Sequence, residues 1–172
     1  MENTNARPFQ DEIRVRRIGI DDWPLWRSLR LQALEEAPYA FGSRLADWQG
    51  HGDTEARWRG RVSDVPLNIV AERQETAVGM ASGTAPNPDG SVELISMWVA
   101  PFARGRGVGD ALLKAVIEWV REQQASRVAL GVMEGNERAV AFYHRHGFIP
   151  VGASVGTVTE HRMVRDFSQS FH

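Results

Sequence analysis

The sequence predicts a mixed α/β domain, a sheet of about seven strands with helices on both faces. Apolar, β-branched runs bounded by Gly, Pro, Asn or Asp alternate with segments of helical periodicity. One such run, residues 92–100, meets Pro101 and passes through Arg104-Gly105-Arg106-Gly107-Val108-Gly109 into an amphipathic helix. The resulting order, β-α-α-β-β-β-α-β-α-β-β, contains no linker between halves and requires helices on opposite faces of one sheet.

Taken in order, residues 1–11 are polar and read as an arm, with the core expected over 13–165 and a tail over 166–172 of a single 172-residue domain. Residues 13–18 alternate apolar and basic side chains, as a half-buried or edge strand does. Asp21 and Asp22 offer N-cap oxygens, and Pro24 suits the first turn, for a helix over 23–36 with Leu25, Trp26, Leu29 and Leu34 on its buried stripe. An aromatic-bearing loop at 38–42 leads to a second helix, capped by Asp53 or Thr54, ending near 63 and carrying Trp58. Strands at 67–72 and 77–84 form a hairpin, and Pro86-Asn87-Pro88-Asp89-Gly90 is a turn signal before the strand at 92–100.

In the helix after the glycines, Val108, Leu112, Val116 and Trp119 recur at helical spacing, so this helix is core as well as platform. A short buried strand over 127–132 is broken at Gly135, and Asn136 can cap a helix over 137–146 that Gly147 stops. Strands at 148–152 and 155–164 complete the sheet.

Twenty Lys and Arg against 22 Asp and Glu give a net charge of -2, so no overall basic field recruits nucleic acid or an anionic membrane. Cysteine is absent, which removes disulfides, thiolate-bound zinc and a cysteine nucleophile. No apolar run approaches a membrane span, and cytoplasm is the expected location. The five histidines form no i,i+4 metal pair and read as surface residues, so no metal site is expected.

A strand, a glycine turn and a helix start leave backbone amides unpaired at the positive end of a helix dipole, an arrangement that favours phosphate. Arg104 and Arg106 add mobile charge. A P-loop would need Gly-Lys-Ser/Thr, and a dinucleotide fingerprint a small residue where Asp110 stands. The stretch does fit R-x-x-G-x-G, filled by Arg104, Gly107 and Gly109 directly after Val-Ala-Pro. It resembles the acetyl-CoA-binding motif of the GNAT superfamily of N-acetyltransferases. Residues 136–148 are similar to that family's second motif, N-x-x-A-x-x-F-Y-x-x-x-G-F. Element order extends the likeness over about 13–165, and its specific part lies within 92–148.

The resemblance implies a GNAT fold of mostly antiparallel strands, with one parallel pair splayed at the coenzyme site. It implies direct transfer, in a ternary complex, of the acetyl group of acetyl-CoA to a primary amine of a small molecule or peptide. The turn Arg104, Gly105, Arg106, Gly107, Val108, Gly109 would hold the pyrophosphate, and a backbone amide near Trp98 or Val99 would meet the oxyanion. Asn136 would contact the pantetheine arm, or serve only as a helix cap. Tyr143 would protonate the departing thiolate, a transfer open to a phenol of pKa about 10 facing a thiol near 8.5; the same ring could instead be a packing anchor.

Glu93 stands inside an apolar strand, where an unpaired charge is expensive and desolvation would raise its pKa toward that of a useful base. It also lies where some family members place the base that deprotonates the amine, although a solvent-facing strand end explains it too. Ser96 and Trp98 alternate with Glu93 and are expected on the opposite side of the strand. Trp26, Arg30, Tyr39, Phe41, Trp58 and residues around Thr159 would bound the acceptor pocket, with core packing or a plain helix face as the alternative for each. A non-catalytic coenzyme A-binding module of the same fold is the rival function, and a homodimer through the C-terminal strands or the arm is open to the chain.

Overall fold

The computed structural model describes residues 12–154 and 159–167. The arm over 1–11, the start of the last predicted strand and the tail from 168 fall outside the described residues. The elements run β1 (Ile13–Arg17), α1 (Trp23–Glu36), α2 (Glu55–Asp64), β2 (Leu67–Arg73), β3 (Thr76–Gly83), β4 (Ser91–Val99), α3 (Val108–Glu122), β5 (Arg127–Met133), α4 (Glu137–Arg145), β6 (Ile149–Ser154) and β7 (Glu160–Asp166). They form one seven-stranded sheet in the order β1-β2-β3-β4-β5-β7-β6. Every pair is antiparallel except β4 with β5.

Two cores sandwich the sheet. On one face Leu112, Leu113, Val116 and Val120 of α3 pack against Leu67, Ile69, Val92 and Val128. On the other, Trp26 and Leu29 of α1 and Trp58 and Val62 of α2 pack against Val70, Met80 and Trp98. Strand β2 is covered on both sides, which is why its first five residues are all buried and its sequence runs apolar with only Asn68 interrupting. Each fully buried aliphatic side chain contributes about 1.5–3 kcal/mol of transfer free energy, so the four core residues of α3 fix the helix, and with it the glycine turn, on the sheet.

Local chemistry departs from expectation at several ends. Residues Ile20–Asp22 form a 3-10 turn in which Asp22 Oδ2 accepts from the Gly19 amide at 2.9 Å, so Asp22 closes the turn before α1 instead of capping α1. Asp21 pairs with Arg59 at 3.0 Å. Thr54 does cap α2, its Oγ1 accepting from the Arg57 amide at 3.2 Å. The β2–β3 hairpin turns through Gln74 and Glu75, both left-handed at φ 51° and 63°. Residues 166 and 167, expected to open the tail, belong to the fold. Asp166 lies within β7, and Phe167 donates its amide to Ser126 O at 3.0 Å and packs against the α3 core.

The feature that positions the site is in β4. Its pairing with β5 covers only Ser91, Val92 and Glu93 against Arg127, Val128 and Ala129, after which the two strands separate. Opposite, Trp98 lies against Met80 but Ile95 against Ser82, so Ser96 and Met97 face the single residue Ala81 across a β-bulge, with Ser96 at φ 54°. The extra residue resets the alternation. Val92 and Leu94, then Met97 and Val99, pack on the α3 side, while Trp98 packs on the α1/α2 side and Ser96 binds Arg61 of α2. Glu93 therefore shares a side with Ser96 and Trp98, correcting the expectation from simple alternation.

Candidate active site

A 3-10 turn over Pro101–Ala103 follows β4, and the chain reverses into α3 through Gly105 at φ 75° and Gly107 at φ 86°. Both angles lie in the left-handed region that glycine adopts without a Cβ penalty. Gly107 is the N-cap of α3 and supplies no side-chain cap, so the first-turn amides and the positive end of a 15-residue helix open onto a cleft of about 990 Å³. A Cβ on Gly109 would come within 3.2 Å of the Phe142 ring, so only glycine leaves this floor clear. Helix α4 forms the other wall and brings Arg138 and Arg145 to the cleft. A narrow trough with free amides and cationic walls fits a pyrophosphate on an extended arm, which is how the glycine turn of the coenzyme motif would be used.

Arg104 departs from the expected role of a mobile cation. Its Nη2 binds Glu36 at 2.7 Å and its Nε donates to Val99 O at 3.0 Å, while Trp98 Nε1 donates to the same Glu36 carboxylate at 2.9 Å. This network ties the end of α1 to β4 and leaves the Arg104 backbone, not a free guanidinium, as its main offering to the cleft. The Trp98 indole is correspondingly core, only 5% exposed. Arg106 is exposed and outside the cleft lining. His146, expected on the surface, is half-buried and joins Asp110 at 2.6 Å, linking the end of α4 to the start of α3.

Where β4 leaves β5, one edge of β4 is open. Ala100 donates to Val78 O at 2.8 Å and Trp98 lies opposite Met80, so both face β3. Alternation along an antiparallel ladder turns the intervening Val99 amide to the open edge, where the Val99 carbonyl already accepts from Arg104. Of the two amides named from the sequence, Val99 is the one directed into the splay. Tyr143 closes the far side. It is 7% exposed, packed edge-on against Phe142 and Phe148 at 5.2 and 5.5 Å, and burial pushes its phenol well above the ordinary range. Asn136 caps α4, its Oδ1 accepting from the Ala139 amide at 3.3 Å.

A second cavity of about 440 Å³ lies beyond, and Met97, Asn136 and Tyr143 border both spaces. Arg30, Phe41, Trp58 and Arg61 line it from the helix side, Glu93 and Glu160 from the sheet. Phe41 borders both spaces, and Tyr39, 61% exposed, borders the first cleft alone. Trp26 borders neither: it is fully buried in the α1/α2 core, because the stripe that α1 turns inward serves packing first. Glu93 is not the unpaired carboxylate expected, since Oε1 meets Arg162 Nη2 at 2.5 Å. Glu160 lies over Gly131 and 3.8 Å from the same arginine.

Glu160 is where the residues around Thr159, expected at the acceptor pocket, reach the second cavity; Arg61, Arg138, Arg145 and Arg162 are site residues that the sequence did not single out. Arg61 follows Arg57 and Arg59 on a helix and looks like one more solvated charge. Glu160 and Arg162 share a face of β7 by alternation, and that spacing was the available signal.

The family model for the acetyltransferase (GNAT) family matches residues 26–148. A mycothiol acetyltransferase of Acidimicrobium ferrooxidans is 30% identical over 137 residues, 74% of this chain and 44% of that protein. The uncharacterized N-acetyltransferase YobR of Bacillus subtilis is 37% identical over 71 residues, 41% of this chain and 29% of that protein. The chain thus spans less than half the length of both relatives. Among solved structures, the PaiA N-acetyltransferase of Thermoplasma acidophilum, in complex with coenzyme A, superposes with a TM-score of 0.73 at 15% identity, covering 91% of this chain and 99% of that one, a likeness of fold. With a family match over residues 26–148, which takes in both motifs and the splayed β4–β5 pair, the chain belongs to the GNAT acetyltransferase family.

Proposed function

We propose that the chain transfers the acetyl group of acetyl-CoA to the primary amine of a small molecule or peptide, directly and within a ternary complex. The observation that carries this reading is the junction at Met97, Asn136 and Tyr143, where the cleft fed by the glycine turn meets the second cavity. Acetyl-CoA supplies an activated acyl carbon, and a solved relative in fold holds coenzyme A. The α3 amides and Arg138 and Arg145 bind its anionic groups. The Val99 amide donates to the carbonyl oxygen as that oxygen gains charge. As the C–N bond forms and the C–S bond breaks, the amine surrenders a proton through bound water toward Glu93, about 20 Å from Val99 along β4 at ~3.3 Å per residue, and Tyr143 gives its phenolic proton to the sulfur.

The Tyr143 role is supported by the place of its ring at the junction of the two spaces; burial raises the phenol pKa, which keeps it protonated but makes donation to a thiolate harder than from a free phenol. The Arg162 partner supports that of Glu93 differently from the expected desolvation: it holds the carboxylate facing the second cavity. The test is acetyl-CoA-dependent thiol release across a panel of primary amines. Amine-dependent turnover with acetylated product is expected. Tight coenzyme binding with no turnover on any amine, and an affinity that altering Glu93 or Tyr143 leaves unchanged, would instead favour a coenzyme A-binding module.

A further inference from the structure

The second cavity holds a charge imbalance that the chain does not settle internally. Arg30 is only 9% exposed, its Nη1 is sequestered without a hydrogen-bond partner, and its guanidinium lies 4.6 Å from the centre of the Phe41 ring. Arg61 donates to neutral oxygens alone: Asn68 Oδ1 at 3.0 Å and the hydroxyls of Ser82 and Ser96 at 3.1 Å each. Neither guanidinium forms an ion pair within the described residues, although Arg16, Arg27, Arg59, Arg104, Arg127 and Arg162 all do. Burial, and for Arg30 also the charge of Arg61, depresses both to about 10. On the sheet side the sign reverses, because Glu93 and Glu160 share the one cation Arg162. Two guanidiniums without an ion pair, Arg61 feeling only the more distant charge of Asp64, thus face a cavity whose other wall carries an excess carboxylate.

We propose that the acceptor is a free amino acid, bound as a small zwitterion with its carboxylate on Arg30 and Arg61 and its amino group toward Glu93 and Glu160. A carboxylate on the cavity wall supplies the counter-charge that neither Arg30 nor Arg61 finds in an ion pair among the described residues. The amino group then faces Glu93 and Glu160 within the cavity that Tyr143 also lines. A cavity of about 440 Å³ accommodates an amino acid, whereas a bulky acceptor would have to project past Phe41. The location of the reacting amine rests on the acetyl-transfer reading; the carboxylate site does not.

The test pairs free amino acids with their carboxamides and with the decarboxylated amines, in two readouts. Thiol release gives kcat/KM for each member of a pair, and thermal melting with the amino acid but no acetyl-CoA reports binding alone. For the preferred amino acid, kcat/KM exceeds that of its carboxamide about tenfold to a hundredfold, the size of one charge-assisted contact. Arg30→Gln abolishes that preference and Arg30→Lys restores part of it, while Arg30→Met raises the melting temperature of the free protein by removing an unpaired buried charge. Carboxamides and simple amines that react as well as amino acids, or an Arg30→Gln loss equal for both members of each pair, would overturn the proposal. Should acetyl-CoA itself not bind, acetyl transfer fails as the function. The carboxylate site is then decided by melting alone: an amino-acid-dependent rise that is lost in Arg30→Gln supports it, and no rise refutes it.

Discussion

Replacing Tyr143 by Phe removes one oxygen and little else. The ring stays edge-on to Phe142 and Phe148, and its burial is unchanged apart from the hydroxyl. Desolvation alone accounts for the raised phenol pKa, and no hydrogen bond to the hydroxyl is formed within the described residues, so the substitution orphans no partner. The change in stability is therefore less than about 1 kcal/mol, and either sign is compatible with the loss of an unpartnered hydroxyl at the cavity wall. Loss of a positioned general acid costs about 10²- to 10⁴-fold. At 1.36 kcal/mol per decade this is about 2.7–5.5 kcal/mol of barrier. The assay is thiol release at saturating acetyl-CoA and amine, beside calorimetric coenzyme affinity and a denaturant melt. A fall in kcat of that size with affinity and melt unchanged is expected. A kcat within about threefold of the parent, with intact binding, would falsify the proton-donor role and leave Tyr143 as a packing residue.

Other substitutions probe the frame of the site. Gly107→Ala forces a Cβ into a φ of 86° and costs about 1–2 kcal/mol, read as a lowered midpoint in a denaturant melt. Gly109→Val drives its side chain into the Phe142 ring, 3.2 Å from the Cβ position, and weakens acetyl-CoA binding in calorimetry far more than it alters the acceptor KM. Asp53 is held down to about 2, first by the Arg27 hydrogen bond and then by Trp58 Nε1. Its unfolded value lies near 3.9, so its contribution is complete above about pH 4 and is lost as pH falls toward 2. Asp53→Asn flattens that limb of a plot of melting temperature against pH.

Much of the frame was legible because it is local. The bounds of α1 follow from Pro24 and an apolar stripe, and the start of α3 follows from glycines that only a left-handed turn explains. The seven strands follow from alternation and turn signals, and their antiparallel majority from the family resemblance. What escaped is tertiary. The bulge at Ser96 depends on how β3 pairs with β4, and it alone brings Glu93 to the side that carries Ser96 and Trp98. Arg104 reads as a ligand-facing cation until Glu36, 68 residues earlier, takes its guanidinium. Arg162 reads as a strand charge until it is found on Glu93. Trp26 shows the converse: an aromatic on a helix beside a site is still core when its face turns to the sheet.

The most direct measurement is calorimetric titration with acetyl-CoA, run beside NADH and ATP and repeated on Gly109→Val. A glycine turn that feeds its free amides and the α3 dipole into the cleft predicts saturable one-to-one binding of acetyl-CoA alone, weakened in the variant. Absence of binding, or binding that Gly109→Val leaves unchanged, would contradict the assignment of the cleft to the coenzyme.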